Sequence, residues 1–500
     1  MEHPLIGWMA VASRVFSIDP RSLAFFRIAI GIVLLVDLAI RANDLSAMYT
    51  DDGMFSRTLI CRHYTDVWNW SFHFGGGSLA YQAILFGFSV LFAIAMVIGF
   101  ETRIATILSW LMLVSLHNRV PPILNGSDNL HRMLLFWAMF LPIQRVWSVD
   151  AWMASRRSSK STPPPSGLLP VSNAATAAIL LQMAFIYFFS AISKTNSDWL
   201  SGRAIEGILA HDFYARSLGS SISQFNTLLA VITIGILALE WVAPLLLFSP
   251  WRTAQVRLGV LALLVAMHTG IEMLLEVGLF SFVSVAGLTL FLPREFWNNK
   301  IIARFTGSSV VPTGEKSDKV ECLPDSRLAL GVCIGSLLYV FAVNINGLSS
   351  RPLSLLKLER WGLLWTAAGF GQKWHMFDEV PSKDGWQVAH ATLADGSEVD
   401  LLRAGTPVDW HRPSAPYLIY PNHRWRKLFR EVAYFDALGF QVFRVPIGQY
   451  LCRKWNADRP VGEHVTSFEL VYCMEEAEAA SSHSGEPVRE VLVHLDFDYP

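Results

Sequence analysis

A lysine placed at the end of an apolar helix is the strongest chemical feature of this chain. Residues 177–192 are apolar enough to enter a bilayer, and the chain continues Ser193-Lys194-Thr195-Asn196-Ser197-Asp198-Trp199-Leu200-Ser201-Gly202. Burying an amine disfavours its charged form, so a lysine held there can serve as a base. Asp198, four residues on, would pair with Lys194 if the helix continued, and Trp199 would wall the amine. The structural alternative is a snorkelling lysine with its stem in the apolar layer and its amine at the interface. The residues alone leave these two readings level.

Two further groups hold polar side chains where apolar ones are expected. His117-Asn118-Arg119 is followed by Pro121-Pro122, then by Asn125-Gly126-Ser127-Asp128-Asn129, with His131 and Arg132 after them. Such a hairpin can line a cavity, with His117, Asn118, Asn125 and Asp128 as binding groups. Alternatively, Ser127 or Asp128 simply caps the following helix. His268, Glu272 and Glu276 recur every four residues, so one helix would carry all three on one face. A His–x3–Glu pair without a third ligand does not make a metal site, and we expect no metal. For Asp37 and Glu240, deep in apolar runs, pairing between helices is the preferred reading.

These groups need a membrane scaffold. Of 500 residues, 52% are hydrophobic and only 16% charged, against roughly 25% charged in soluble domains. Apolar runs near 23–42, 79–99, 103–118, 128–143, 173–192, 227–248, 256–275, 277–292 and 327–346 predict about nine spans. The short runs 103–118 and 128–143 would have to be re-entrant or shielded. The first run lacks a small-residue cleavage site after it and reads as a retained helix.

Basic residues crowd the connections near 145–172 and 293–326, together with Arg14, Arg21, Arg252 and Arg257. With a cytoplasmic N-terminus and nine spans, all of them fall on the cytoplasmic side, as the positive-inside rule requires. The other side receives loops 43–78, 119–127 and 193–226 and the whole C-terminal region. Ser155–Ser166 and Gly307–Ser317 read as polar linkers.

The expected fold is therefore a polytopic α-helical membrane bundle over residues 1–348, with an extracytoplasmic β-rich α+β domain over 349–500. In that domain Asp395-Gly396 lies between alternating runs, which predicts a hairpin. Residues 422–438 read as a basic amphipathic helix and 488–497 as a last strand. Five cysteines (61, 322, 333, 452 and 473) contain no CxxC, and free thiols are expected even at Cys452 and Cys473. The net charge of −1 gives no reason to expect nucleic acid.

The segment 187–202 resembles the active-lysine segment of vitamin K-dependent γ-glutamyl carboxylase, with Lys194 at the second of its two lysines and Ser193 at the first. Arg145-Val146-Trp147-Ser148-Val149-Asp150 is similar to its Arg-x-Trp-Ser-Val-Asp. His268 with Gly278-Leu279-Phe280-Ser281-Phe282 is similar to its later histidine and Gly-Met-Phe-Ser-Tyr run. Trp374-His375-Met376-Phe377 is similar to its Trp-x-Met element. Gly126-Ser127 stand where that enzyme has Asn-His. Tyr49-Thr50-Asp51-Asp52-Gly53, the 117–129 hairpin and Gln372-x-Trp374-x-Met376-Phe377 resemble the bacterial HTTM family over roughly residues 15–380.

This resemblance implies a multi-pass protein of the bacterial inner membrane. Lys194 would be the base, with Asp198 and His268 assisting. A reduced quinone like vitamin K hydroquinone would be the cofactor, arriving from the lipid, and O2 and CO2 the co-substrates of a lyase-type carboxylation. The alternative is a non-catalytic lipid- or quinone-binding membrane protein that docks a partner through its C-terminal domain.

Overall fold

The computed structural model describes residues 4–157, 169–211, 214–306, 319–348, 361–380, 383–434, 439–476 and 487–497. Among the described residues nine apolar helices form the bundle: α1 (Pro20–Asn43), α2 (Leu79–Ile98), α3 (Thr102–Arg119), α4 (Gly126–Ala138), α5 (Ala174–Ser193), α6 (Asn226–Leu246), α7 (Thr253–Leu274), α8 (Phe280–Leu288) and α9 (Arg327–Gly347). Of the nine expected spans, six match helices long and apolar enough to cross a membrane, namely α1, α2, α5, α6, α7 and α9. The 13-residue α4 and 9-residue α8 are too short to cross at 1.5 Å per residue. They pack on each other in the interior, α4 against α1, α3 and α5, and α8 against α1, α5 and α7. Shielding by these neighbours is what lets helices so short sit there.

The polar segments gather at two opposite ends. At one end Arg145 pairs with Glu321 at 2.5 Å, and Val171–Ser172 bonds in parallel with Glu321–Cys322. The basic residues of the N-terminus and of the loops around 145, 252 and 294 lie there. The expected linker Ser155–Ser166 begins as helix, since Val149–Arg157 is helical. Its remainder from 158 and the Gly307–Ser317 connector lie outside the described residues.

At the other end sits the C-terminal domain. Strands β1 (Lys383–Leu393), β2 (Glu398–Asp400), β3 (Thr406–Pro407), β4 (Val465–Glu476) and β5 (Val488–Asp496) form an antiparallel sheet in the order β3-β2-β1-β4-β5. The hairpin turns at Asp395-Gly396, where Gly396 takes φ +82°, and Thr392 pairs with Glu398. Helices α10 (His423–Tyr434) and α11 (Arg444–Asn456) complete the domain. All five cysteines are free; Cys333, Cys452 and Cys473 are buried. Residues 361–378 stay on the bundle: Arg132 donates to the Gly369 carbonyl at 2.7 Å, and Gln182 bonds Gln372 at 2.8 Å.

Candidate functional site

Helix α5 ends one residue before Lys194. The Lys194 N–H still bonds back to the Ala191 carbonyl, but its own φ of −91° and ψ of 48° turn the chain away. The side chain stays inside, with the residue only 4% exposed. Its ammonium lies 2.7 Å from both carboxylate oxygens of Glu240 on α6 and 4.6 Å from the ring centre of Trp199. Ser190, one turn earlier, donates to the same carboxylate at 3.2 Å. An interior amine held by a carboxylate and a π-face is not a snorkelling lysine.

The expected partner, Asp198, is a correction. Because the helix stops at Ser193 and a new one starts at Ser197, the four-residue spacing no longer stacks the two side chains. Asp198 is instead partly exposed, 3.6 Å from Arg203. Trp199 does wall the amine, and its indole N–H donates to the Phe377 carbonyl at 2.7 Å. Asn196 fixes the same loop by bonding the Asp378 carbonyl.

His268 on α7 is buried in the next layer, 2.9 Å from the Tyr187 hydroxyl. Its Nδ1 has no partner among the described residues. The expected face of His268, Glu272 and Glu276 is also corrected. Helix α7 ends at Leu274, because Leu275 bridges to Ala215 and the chain turns at Gly278 with φ +67°. Glu276 therefore lies past the helix, and it and Glu272 share Arg216, each at 2.8 Å.

The 117–129 hairpin belongs to a second buried cluster. Asn125 caps α4 through the Ser127 N–H at 2.9 Å, and the Asn125 N–H returns to Asp128 at 2.8 Å, a full capping box. The other face of Asp128 meets Arg41 at 2.6 Å, and Arg41 also holds Asp37 at 2.8 Å and the Tyr49 hydroxyl at 2.8 Å. His117 stands 3.4 Å from Asp128 and 3.3 Å from Arg132. Asn118 donates to the Trp70 carbonyl at 2.9 Å.

The fourth charge comes from the C-terminal domain. Arg424, fully buried at the start of α10, donates to Asp37, to Asp128 at 2.9 Å and to the Ile123 carbonyl at 3.2 Å. Beside it Asn422 and Trp425 both donate to Asp44, at 2.6 and 2.8 Å. Ligand atoms of Asp37, His117 and Asp128 lie within 4.8 Å of one another, as in a metal site. Two guanidinium groups already donate into both carboxylates and supply the balancing positive charge there. The donor set is an ion-pair network.

Between bundle and domain lies a cleft of about 330 Å³ that opens at the C-terminal-domain end. Asn125, Gly126 and Ser127 line one side, so the positions aligned with the carboxylase Asn-His border the cavity. Phe280, Val277, Ile271, Met376 and Phe377 form an apolar wall, Arg426, Lys427 and Arg430 with His423 beside them a basic one, and Glu276, Asp378 and Glu379 also line the cleft. Lys194 and His268 do not line it. His268 stands one side chain behind, 5.7 Å from Phe280 between rings, and Lys194 two residues behind, against Trp199, which in turn bonds the Phe377 carbonyl. Burial and the neighbouring Arg424 push the His423 imidazole down to about 3, so it is neutral near pH 7, and its Nε2 has no partner among the described residues.

Sequence reasoning placed Glu240 in a structural pair without naming its partner, and it passed over Tyr187, His423, Arg424, Arg426 and Arg430. The signal for Arg424 was present. Trp425, Leu428, Phe429 and Val432 set a buried face, and His423 and Arg424 are also buried at its start.

The HTTM domain matches residues 16–297 of this chain. The chain belongs to the HTTM family. That domain is shared with vitamin K-dependent γ-carboxylase. No solved structure matches the chain. The matched span holds α1 to α8, the Lys194–Glu240 pair and the Asp37, Arg41 and Asp128 side chains, whereas Arg424, Met376, Phe377 and the basic wall of the cleft lie beyond it.

Proposed function

We propose that this HTTM protein is an integral-membrane enzyme in which Lys194 and Glu240 form a proton-transfer pair serving the cleft beneath the C-terminal domain. The observation that carries the reading is the bifurcated contact of Lys194 with Glu240, at 2.7 Å to each oxygen, inside an apolar bundle. A proton can pass within such a pair without movement of heavy atoms. The pair holds one proton at rest, so Lys194 acts as a base only after that proton has left for the solvent of the cleft; the neutral amine then takes a proton from substrate, and the Glu240 carboxylate is the counter-charge of the restored ammonium. Trp199 orients the amine from the other face, and Tyr187 with His268 extends the polar path toward Phe280.

The family points to a reduced quinone as cofactor, and the cleft has features that fit one. Phe280, Phe377, Met376 and Val277 give a flat apolar wall for a ring, and about 330 Å³ is at the lower end for a small-molecule pocket. A bound quinol would supply an acidic phenol and reducing equivalents for chemistry with O2 and CO2. His423 and the Arg426, Lys427 and Arg430 side would favour a substrate carboxylate opposite it. The proposal includes the orientation: basic end in the cytoplasm, cleft and C-terminal domain outside the inner membrane, quinone entering from the lipid.

A second reading draws on the same cleft. Lys194 is fully compensated by Glu240 and neither it nor His268 lines the cavity. This favours a non-catalytic protein that binds quinone or lipid and docks a partner by its C-terminal domain. A thermal-shift titration with naphthoquinols, on wild type and Lys194→Met/Glu240→Leu, separates the two. Stabilisation of both proteins, with turnover in the wild type alone, supports the enzyme. Stabilisation of both without turnover in either supports the binding protein.

A further inference from the structure

At the end of the bundle opposite the C-terminal domain, a second cleft of about 300 Å³ opens between the N-terminal helix, the start of α7 and the segment after α8. Its cationic lining is Arg14, Arg252, Arg257, Arg294 and Lys319. Two carboxylates border it, but Asp19 is already taken by Arg21 at 2.9 Å. Glu295 remains beside Arg252, Arg257, Arg294 and Lys319. Arg252, Arg294 and Lys319 make no ion pair among the described residues. Among the described residues, buried Arg257 donates only to main-chain carbonyls, those of Leu247 at 2.9 Å and Val15. Dipoles hold the Arg257 charge in place, and of the two carboxylates bordering the cleft only Glu295 acts on it, so the four cations there outnumber their counter-charge.

The rim is built for lipid. Trp251 is 68% exposed and carries Arg252 at 5.1 Å from its ring centre, and Leu245 just before it is 71% exposed. An exposed tryptophan at the end of an apolar helix marks the headgroup level of a bilayer. Arg252 holds a left-handed backbone, φ +43°, and offers α7 no side-chain cap, so the first-turn N–H groups of α7 add to the positive field of the cations. A basic pocket between spanning helices at headgroup depth suits an anionic lipid.

We propose that this cleft binds the phosphate headgroup of an anionic phospholipid, one per chain, with Arg252 and Arg294 as its exchangeable contacts and Arg257 as its fixed charge. Its acyl chains lie along the exposed side of α6 beside Leu245. The site sits at the far end from the quinol cleft and does not depend on the function proposed there.

Native mass spectrometry of the full chain, released from micelles holding equal phosphatidylglycerol and phosphatidylcholine, tests this. The wild type retains one phosphatidylglycerol with at least tenfold preference over phosphatidylcholine. Arg252→Gln/Arg294→Gln weakens retention roughly thirtyfold, at about fivefold per basic residue lost near a membrane surface. Arg62→Gln/Lys454→Gln removes the same charge from the opposite end and leaves retention unchanged. Equal retention by the first double variant, or equal loss in the second, overturns the site. Displacement of the lipid by millimolar glycerol phosphate assigns the cleft to a soluble phosphate and overturns the lipid.

Discussion

Removing Arg424 tests whether the C-terminal domain is held by a charge inserted into the bundle. The buried cluster has two carboxylates, Asp37 and Asp128, and two guanidiniums, Arg41 and Arg424, and so is neutral. Arg424→Met leaves an uncompensated negative charge among side chains that are at most 4% exposed. Breaking a buried pair on one side costs about 3–5 kcal/mol, and the lost bond to the Ile123 carbonyl adds about 1 kcal/mol. Arg424→Met/Asp128→Asn restores neutrality, with Asp37 facing Arg41 alone, and should recover more than half of the loss. Thermal unfolding in nanodiscs, followed by tryptophan emission, reads both. Limited proteolysis near residue 380 reports whether the domain has come off the bundle. A single variant as stable as wild type, or a double variant no better than the single, would refute a neutral buried network as the anchor.

Three other outcomes follow from the same coordinates. Glu240→Gln strands the Lys194 amine and lowers stability by about 3–5 kcal/mol, whereas the apolar pair Lys194→Met/Glu240→Leu comes within about 2 kcal/mol of wild type by thermal unfolding. His423 is pushed down to about 3 from an unfolded value of about 6.5, so the native state binds fewer protons than the unfolded one. Its contribution is complete above pH 6.5 and is lost as pH falls toward 3. A Tm profile from pH 7 to 4 should therefore fall less steeply in His423→Gln. Cys61 and Cys322 are exposed at opposite ends. An impermeant maleimide added to intact cells labels Cys61 and spares Cys322 if the N-terminus is cytoplasmic, and the reverse pattern inverts the orientation.

Much of the architecture was legible because bilayer crossing, capping and hairpin turns are local. The apolar runs, the Asn125–Asp128 start of α4 and the Asp395-Gly396 turn each depend on residues within reach of one another along the chain. The proposed proton-transfer pair was not local. Lys194 and Glu240 are 46 residues apart and meet only because α5 and α6 pack together. The choice of Asp198 failed because it assumed a helix running through Lys194, and a terminus can shift such a register by a turn. Arg424 and Asp37 meet across 387 residues. A basic helix in an outer domain reads as a solvated surface until its arginine is seen inside the bundle. Hydropathy counted nine apolar runs and six remain as candidate spans, because α4 and α8 are short and buried between their neighbours and the 18-residue α3, ending in His117-Asn118-Arg119, is too polar over its length.

The proton-transfer proposal stands or falls on turnover. Wild-type protein in nanodiscs is supplied with vitamin K hydroquinone, O2, labelled CO2 and a glutamate-containing peptide, beside the charge-neutral Lys194→Met/Glu240→Leu variant checked for folding by its Tm. Quinone epoxide and incorporated label should form with the wild type and be at least a hundredfold slower with the variant. Undiminished product in the folded variant, or none in the wild type, contradicts a catalytic Lys194.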